Sequence, residues 1–204
     1  MIAIVDYGLG NVKAIANIYK RLDLPCTLAR QASDLSNASH IVLPGVGAFD
    51  WAMAKLNASG MRTALDDAVL VHSKPVLGIC VGMQMLAQRS DEGTAAGLGW
   101  LNAEVKHLDP GPADNPKQLP HMGWNDVQPL SDQGLFAGFA TLPRFYFLHS
   151  YYFAPHDPAD TLAEADYGML FTCAVRSGSI HGVQFHPEKS HAWGIQLLKN
   201  FANI

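Results

Sequence analysis

Apolar residues recur along this chain with two periods, and the switches between them predict strands alternating with helices. Ile2 to Asp6 opens as a strand-length apolar run, and Val12, Ile15, Ala16, Ile18, Tyr19 and Leu22 then repeat at helical spacing. Pro25 to Ala29 and Ile41 to Leu43 read as two more strands, and Phe49 to Leu56 and Met61 to Val71 as helical pieces interrupted near Ser59 and Gly60. Val76, Leu77 and Ile79, opened by Pro75, predict a buried strand that passes directly into a helical pattern at Val81, Met85 and Leu86. From Trp100 the period shortens to two. Leu101, Ala103, Val105 and His107 predict a strand, Asp109 to Pro116 an exposed loop, and Gly123 to Val127 and Arg144 to Phe153 further strands. Thr161 to Asp166 and Phe171 to Arg176 suit a strand pair, Gly182 to Phe185 a last strand, and the segment from Ser190 a closing helix with Trp193, Leu197 and Phe201 on one side. Strands alternating with helices through the first half imply an α/β class.

With 204 residues and 49% hydrophobic content the chain is long enough for one well-buried domain, expected to span residues 1–204. A net charge of -4 with scattered lysines and arginines gives no electrostatic footprint for nucleic acid or an anionic membrane. Cys26, Cys80 and Cys173 are an odd, widely spaced set, which suits neither a disulfide framework nor a cysteine-rich zinc site. No stretch reaches the roughly 18 apolar residues of a membrane span, and the chain opens on a strand pattern instead of a basic leader. A reducing, cytoplasmic, soluble setting is the expectation, with Cys26 and Cys173 as ordinary buried thiols.

Gly78-x-Cys80-x-Gly82, between strand and helix, has the layout of a nucleophile elbow with sulfur in place of oxygen. A helix beginning at Val81 would set its free N–H groups against the sulfur and favour thiolate. His186 and Glu188 are two apart, which in an extended segment turns both to one face. Glu188 then holds one imidazole nitrogen while the other faces Cys80, a triad by role. Pro44, Gly45, Val46 and Gly47 read as an ordinary turn or, if the loop lies beside Cys80, as the source of an N–H near Val46 that joins the N–H of Val81 in an oxyanion hole. Gly8-x-Gly10 invites a dinucleotide reading, but Lys13 stands where the third glycine belongs. His181, His186 and His191, five apart, suit no common ligand motif, so no metal and no cofactor is expected; His181 is then a strand histidine without a role, and His191 lies on the solvent side of the last helix.

Gly78 to Gln84 together with Gln184, Phe185, His186, Pro187 and Glu188 resembles the class I, triad-type glutamine amidotransferases. Asp6 to Asn11, Leu43 to Phe49, Pro120 to Asn125 and Tyr146 to Tyr151 are similar, within that class, to the glutaminase subunits of imidazole glycerol phosphate synthases. The resemblance runs from Ile2 to the last helix. It implies a three-layer αβα fold on a central mixed, mostly parallel sheet, hydrolysis of L-glutamine, and delivery of ammonia to a separate cyclase subunit in histidine biosynthesis. It further implies that Gln84 and Glu92 bind the substrate, with Glu92 on its ammonium group, although the polar turn Arg89 to Gly93 reads by itself as a helix end. His149, Ser150 and Tyr151 would offer backbone groups to the substrate carboxylate. His121, Trp124, Tyr146 and Lys189 would lie near the partner interface or the ammonia exit, and Asn11 is either a partner contact or a helix cap. Three rival readings are weighed: a related glutaminase serving another synthase, a catalytically silent subunit, and a thiol esterase or peptidase, which explains the triad but not Gln84, Glu92 or the Pro44 to Gly47 loop.

Overall fold

In the computed structural model, residues 1–109, 111 and 116–204 are described. Most of the loop expected over Asp109 to Pro116 lies outside them.

The strands are β1 (Ile2–Val5), β2 (Cys26–Ala29), β3 (His40–Gly45), β4 (Val76–Cys80), β5 (Arg89–Ser90), β6 (Ala103–His107), β7 (His121–Asp126), β8 (Gln128–Pro129), β9 (Arg144–His149), β10 (Tyr151–Pro155), β11 (Thr161–Asp166), β12 (Leu170–Ser177) and β13 (Ile180–Val183). The α-helices are α1 (Val12–Arg21), α2 (Phe49–Ala58), α3 (Arg62–Asp66), α4 (Val81–Gln84) and α5 (His191–Phe201). The main sheet runs β2-β1-β3-β4-β13-β12-β11-β8. It is parallel from β2 to β13 and antiparallel from there to β8. β4 reads as a continuous apolar run because it is buried throughout between parallel neighbours.

The chain leaves β1 toward β2 in one direction and crosses from β3 to β4 in the other. Right-handed crossovers therefore place α1 on one face and α2 and α3 on the opposite one. α5 packs against α1, and α2 against α4. The result is a mixed sheet between helical layers. β10-β6-β5 form a second sheet, and β7 and β9 pair as a two-stranded ribbon.

Three expectations change. Arg144 to Phe153 is not one continuous strand but breaks at Ser150: β9 pairs with β7, whereas β10 pairs with β6. The helix after Cys80 is a single turn. Its continuation is cut because Leu98, Gly99 and Leu101 donate their N–H groups to the carbonyls of Met85, Ala87 and Leu86. So short a helix has little macrodipole to lend the sulfur. Cys26, expected to be buried, is half-buried, with its thiol directed to the Ala16 carbonyl at 3.7 Å, whereas Cys173 is fully buried.

Candidate active site

The carboxyl ends of three adjacent parallel strands, β3, β4 and β13, converge on Cys80. Gly45 sits level with Cys80 in the β3–β4 register, and β13 ends three residues before His186. Cys80 itself takes φ 55°, ψ -115°, a left-handed conformation that a side chain rarely adopts. Strain of this kind persists only where the surroundings enforce it. They do so through close backbone packing: a Cβ on Gly82 would overlap the Leu43 carbonyl oxygen, and one on Gly45 would overlap the Gly82 nitrogen. The glycines of the elbow thus serve the approach of β3 to the turn as much as the turn itself.

His186 lies beside Cys80 on the wall of one cleft, and the Cys80 thiol is directed at the Leu148 carbonyl at 3.9 Å. The Nδ1 of His186 lies 2.9 Å from Glu188 Oε1, with both side chains almost fully buried. The pair does not form in the expected way. Pro187–Lys189 is a 3-10 turn rather than an extended segment, opened by Pro187 and closed by Lys189 N–H and Ser190 Oγ–H, both donating to the His186 carbonyl. Glu188 folds back within that turn instead of sharing a strand face with His186. Burial disfavours a charged imidazole, but hydrogen bonds to Cys80 and Glu188 outweigh it and raise His186 to about 10. Burial likewise works against ionised Glu188, and the hydrogen bond from His186 wins, holding the carboxyl below its ordinary range. Asn11 Nδ2–H donates to the same Oε1 at 3.0 Å. Its side chain makes no cap bond to α1, so helix capping is excluded as its role.

A cleft of about 340 Å³ opens over the sulfur. Among the residues expected from sequence, Val46, Gly47, Cys80, Val81, Gln84, Glu92, His149, Ser150, Tyr151, His186 and Lys189 line it. Gly45 lies behind, against the elbow. The Glu92 carboxylate reaches over from its turn and accepts the Phe49 N–H at 2.9 Å. That turn is fixed by Asp50, which accepts the N–H groups of Thr94 and Ala95 at 2.9 and 3.0 Å. Gln84 is buried, and its Nε2 donates to the Tyr151 carbonyl at 3.0 Å and to Gln184 Oε1 at 3.1 Å.

Strand alternation separates the four residues expected near a partner or an exit. Cross-strand partners share a face, so Met122 opposite Leu148 and Trp124 opposite Tyr146 point one way, while His121 opposite His149 and Asn125 opposite Phe145 point the other. The first set is outward: Met122 is 60% exposed, Trp124 41% and Leu148 38%. Trp124 stacks on exposed His191, and Lys189 Nζ lies 5.4 Å from the Tyr146 ring. His121 is 2% exposed, so the period of two places it on the face opposite Trp124.

Sequence reasoning missed Gln184 and Tyr7. Gln184 Nε2–H points at Cys80 Sγ from 3.8 Å. Buried Tyr7 donates to the Pro44 carbonyl at 2.8 Å and so holds the start of the Gly45–Gly47 loop. A glutamine set between apolar Val183 and Phe185 was a signal for the first; nothing local marked the second. Among the described residues no group of three or more His, Cys, Asp or Glu side chains is placed to hold a metal, and no helix is long and apolar enough to cross a membrane.

A strained thiol, an imidazole and a carboxylate meet at the carboxyl ends of the parallel half of the sheet, an arrangement suited to thiol-dependent acyl transfer. The class-I glutamine amidotransferase family matches residues 3–204, and the chain belongs to that family. Among its relatives, the imidazole glycerol phosphate synthase subunit HisH of Bdellovibrio bacteriovorus is 56% identical over 204 residues, covering all of both chains. The protein of the same name from Leptospira interrogans is 47% identical over the same full length. A solved structure described as a glutamine amidotransferase superposes with a TM-score of 0.76 at 19% identity, covering 99% of this chain and 97% of that one. A glutamine amidotransferase from Thermotoga maritima gives 0.64 at 19%, covering 99% and 82%. At such identities the likeness is one of fold.

Proposed function

We propose that this chain hydrolyses the side-chain amide of L-glutamine and passes the ammonia to the cyclase subunit of an imidazole glycerol phosphate synthase, which forms imidazole glycerol phosphate and aminoimidazole carboxamide ribotide. The observation that carries the chemistry is Cys80 at φ 55° on the strand end, beside a buried His186–Glu188 pair. The sulfur attacks the amide carbon as thiolate. The oxyanion is received by N–H groups near Val46 and Val81, both on the cleft wall. His186 protonates the departing ammonia and then activates the water that cleaves the thioester, returning the thiol. Glu188 keeps the imidazole oriented. The carboxylate of Glu92 suits the substrate ammonium, and the turn from His149 to Tyr151 suits its carboxylate.

The destination of the ammonia rests on the relatives, which are named as synthase subunits. The outward face of the β7–β9 ribbon, with Met122, Trp124 and Leu148 beside the cleft mouth, is the apolar surface we assign to the cyclase. Residues 1–204 act as one domain in a cytoplasmic heterodimer, without metal or cofactor. The test is Cys80→Ala in the assembled complex. Glutamine-dependent turnover should vanish while turnover with free ammonium persists, because the thiol serves only the first half-reaction. Persistent glutamine turnover would overturn the assignment, and failure to co-purify with a cyclase would overturn the partner.

A further inference from the structure

Behind the cleft wall at Ser150 runs a chain of polar groups, half-buried at Asn125 and buried at His121 and His149, that the catalytic steps leave unused. Asn125 Oδ1 accepts the Asp126 N–H at 2.9 Å, which orients the amide. Its Nδ2 then donates to the Asp166 carbonyl at 2.8 Å and faces His121 Nε2 at 3.3 Å. His121 Nδ1 meets His149 Nε2 at 2.9 Å, and His149 Nδ1 meets the Tyr151 carbonyl at 2.8 Å. An amide nitrogen only donates and a carbonyl only accepts, so the protons run one way. Both histidines must carry hydrogen on Nδ1 and none on Nε2. A second proton on either ring would bring two N–H groups head to head. Burial acts in the same sense, pushing His149 down to about 3 and His121 to about 4. His121 is also clamped as a ring, stacked 4.7 Å from Phe147 and 3.9 Å from Tyr167.

The chain ends where the cleft begins. The Tyr151 carbonyl receives His149 on one side and Gln84 on the other, and Gln84 leads through Gln184 to the Cys80 sulfur. Ser150, at the break between β9 and β10, is held by its own carbonyl, which accepts the Leu108 N–H at 2.9 Å. Among the described residues, His121 alone gives His149 Nε2 a hydrogen-bond partner.

We propose that His121 is a positioning residue for the substrate: its Nδ1–H fixes the tautomer of His149, and His149 in turn fixes the 149–151 wall of the cleft. The proposal rests on the glutaminase reading above. Removing the donor frees that wall and weakens glutamine binding, whereas Cys80, His186 and Glu188 keep their own contacts.

Two substitutions separate hydrogen bonding from packing. His121→Phe keeps an aromatic ring in the stack and removes the donor. His121→Asn loses the stack and keeps an amide N–H near the position of Nδ1. In the complex with its cyclase, His121→Phe should raise KM for glutamine by roughly tenfold, the scale of one buried hydrogen bond left unmade, with kcat changed less than about threefold. His121→Asn should recover most of that loss. Nitrogen-edited NMR of the histidine-labelled wild-type chain should show two neutral, Nδ1-protonated imidazoles from these positions. Spectra giving His149 as the Nε2–H tautomer, or a ranking in which Phe is harmless and Asn is not, would overturn the assignment of His121 alone. A wild-type complex inert toward glutamine would instead overturn the glutaminase reading, whatever the spectra show.

Discussion

Replacing Glu188 tests the triad most sharply, because the structure sets how much each substitution removes. The Oε1 atom of Glu188 accepts from both His186 Nδ1 and Asn11 Nδ2, at 2.9 and 3.0 Å. A hydrogen bond to a charged group contributes about 1.5–3 kcal/mol, which is roughly 10- to 150-fold if it is lost in the transition state. Glu188→Gln keeps an acceptor oxygen and loses the charge, so turnover should fall by about tenfold. Glu188→Ala also leaves a buried imidazole N–H without a partner and should reach the upper end, about 150-fold. His186→Ala removes the proton carrier and should cost as much or more, within the roughly 10²- to 10⁴-fold of general acid–base catalysis. Asn11 is exposed, so Asn11→Ala should cost only about two- to tenfold. Single-turnover glutamate release in the assembled complex ranks the four variants, and iodoacetamide alkylation of Cys80 in the resting enzyme reports thiolate without substrate. A Glu188→Gln enzyme as fast as wild type, or a Glu188→Ala enzyme clearly slower than His186→Ala, would refute the assignment of an orienting role.

His186 also ties stability to pH. Its folded-state value, about 10, lies above the ordinary 6.5, so its contribution is fully present below about pH 6.5 and is lost as pH rises through about 10. Thermal unfolding of wild type and His186→Gln across that window should show the wild-type advantage shrinking with rising pH; a constant advantage would contradict the sign. Gly82→Ala should force the Leu43–Pro44 peptide away from the elbow, because its Cβ would overlap backbone atoms that no side-chain rotation can move aside. At about 1–3 kcal/mol for such overpacking, Tm should drop by roughly 2–12 °C together with glutaminase activity. An unchanged melting curve and rate would show that the close approach of β3 to the turn is not required.

The parts of this site that could be read from the sequence are those whose geometry is local. Gly78-x-Cys80-x-Gly82 spells its own turn, since the glycines and the nucleophile lie within five residues. The order of apolar runs likewise foretold a strand feeding Cys80 and a strand end feeding His186. Local patterns failed where distant backbone captured the groups involved. The helical spacing of Val81, Met85 and Leu86 is genuine, yet amides from residues 98–101 take the carbonyls that a longer helix would need. Two-residue spacing placed His186 beside Glu188 for the wrong reason, since Pro187 nucleates a 3-10 turn that produces the same meeting. Arg144 to Phe153 reads as one strand because the aromatic run is unbroken; only the pairing of its halves with β7 and β6 reveals the break at Ser150.

His121 is the instructive case. As part of a motif it carries the motif's destination, so His121 and Trp124 are expected together near the partner interface or the ammonia exit. As a residue on a strand it obeys a period of two, and three positions from His121 to Trp124 put the two side chains on opposite faces. Applied to β7 and β9 together, that alternation sends Met122, Trp124, Tyr146 and Leu148 outward and His121, Asn125, Phe145, Phe147 and His149 inward. Two buried imidazoles opposite each other at the end of an aromatic ribbon then need partners, since an unpaired polar group in such a place is costly. On the assignments proposed above, one ribbon offers its apolar outer face to the cyclase and, on its reverse, the polar chain behind the cleft. On that reading, substitutions at Met122 and Trp124 act through assembly and those at His121 and Asn125 through glutamine, whereas Leu148, outward yet lining the cleft, bears on both.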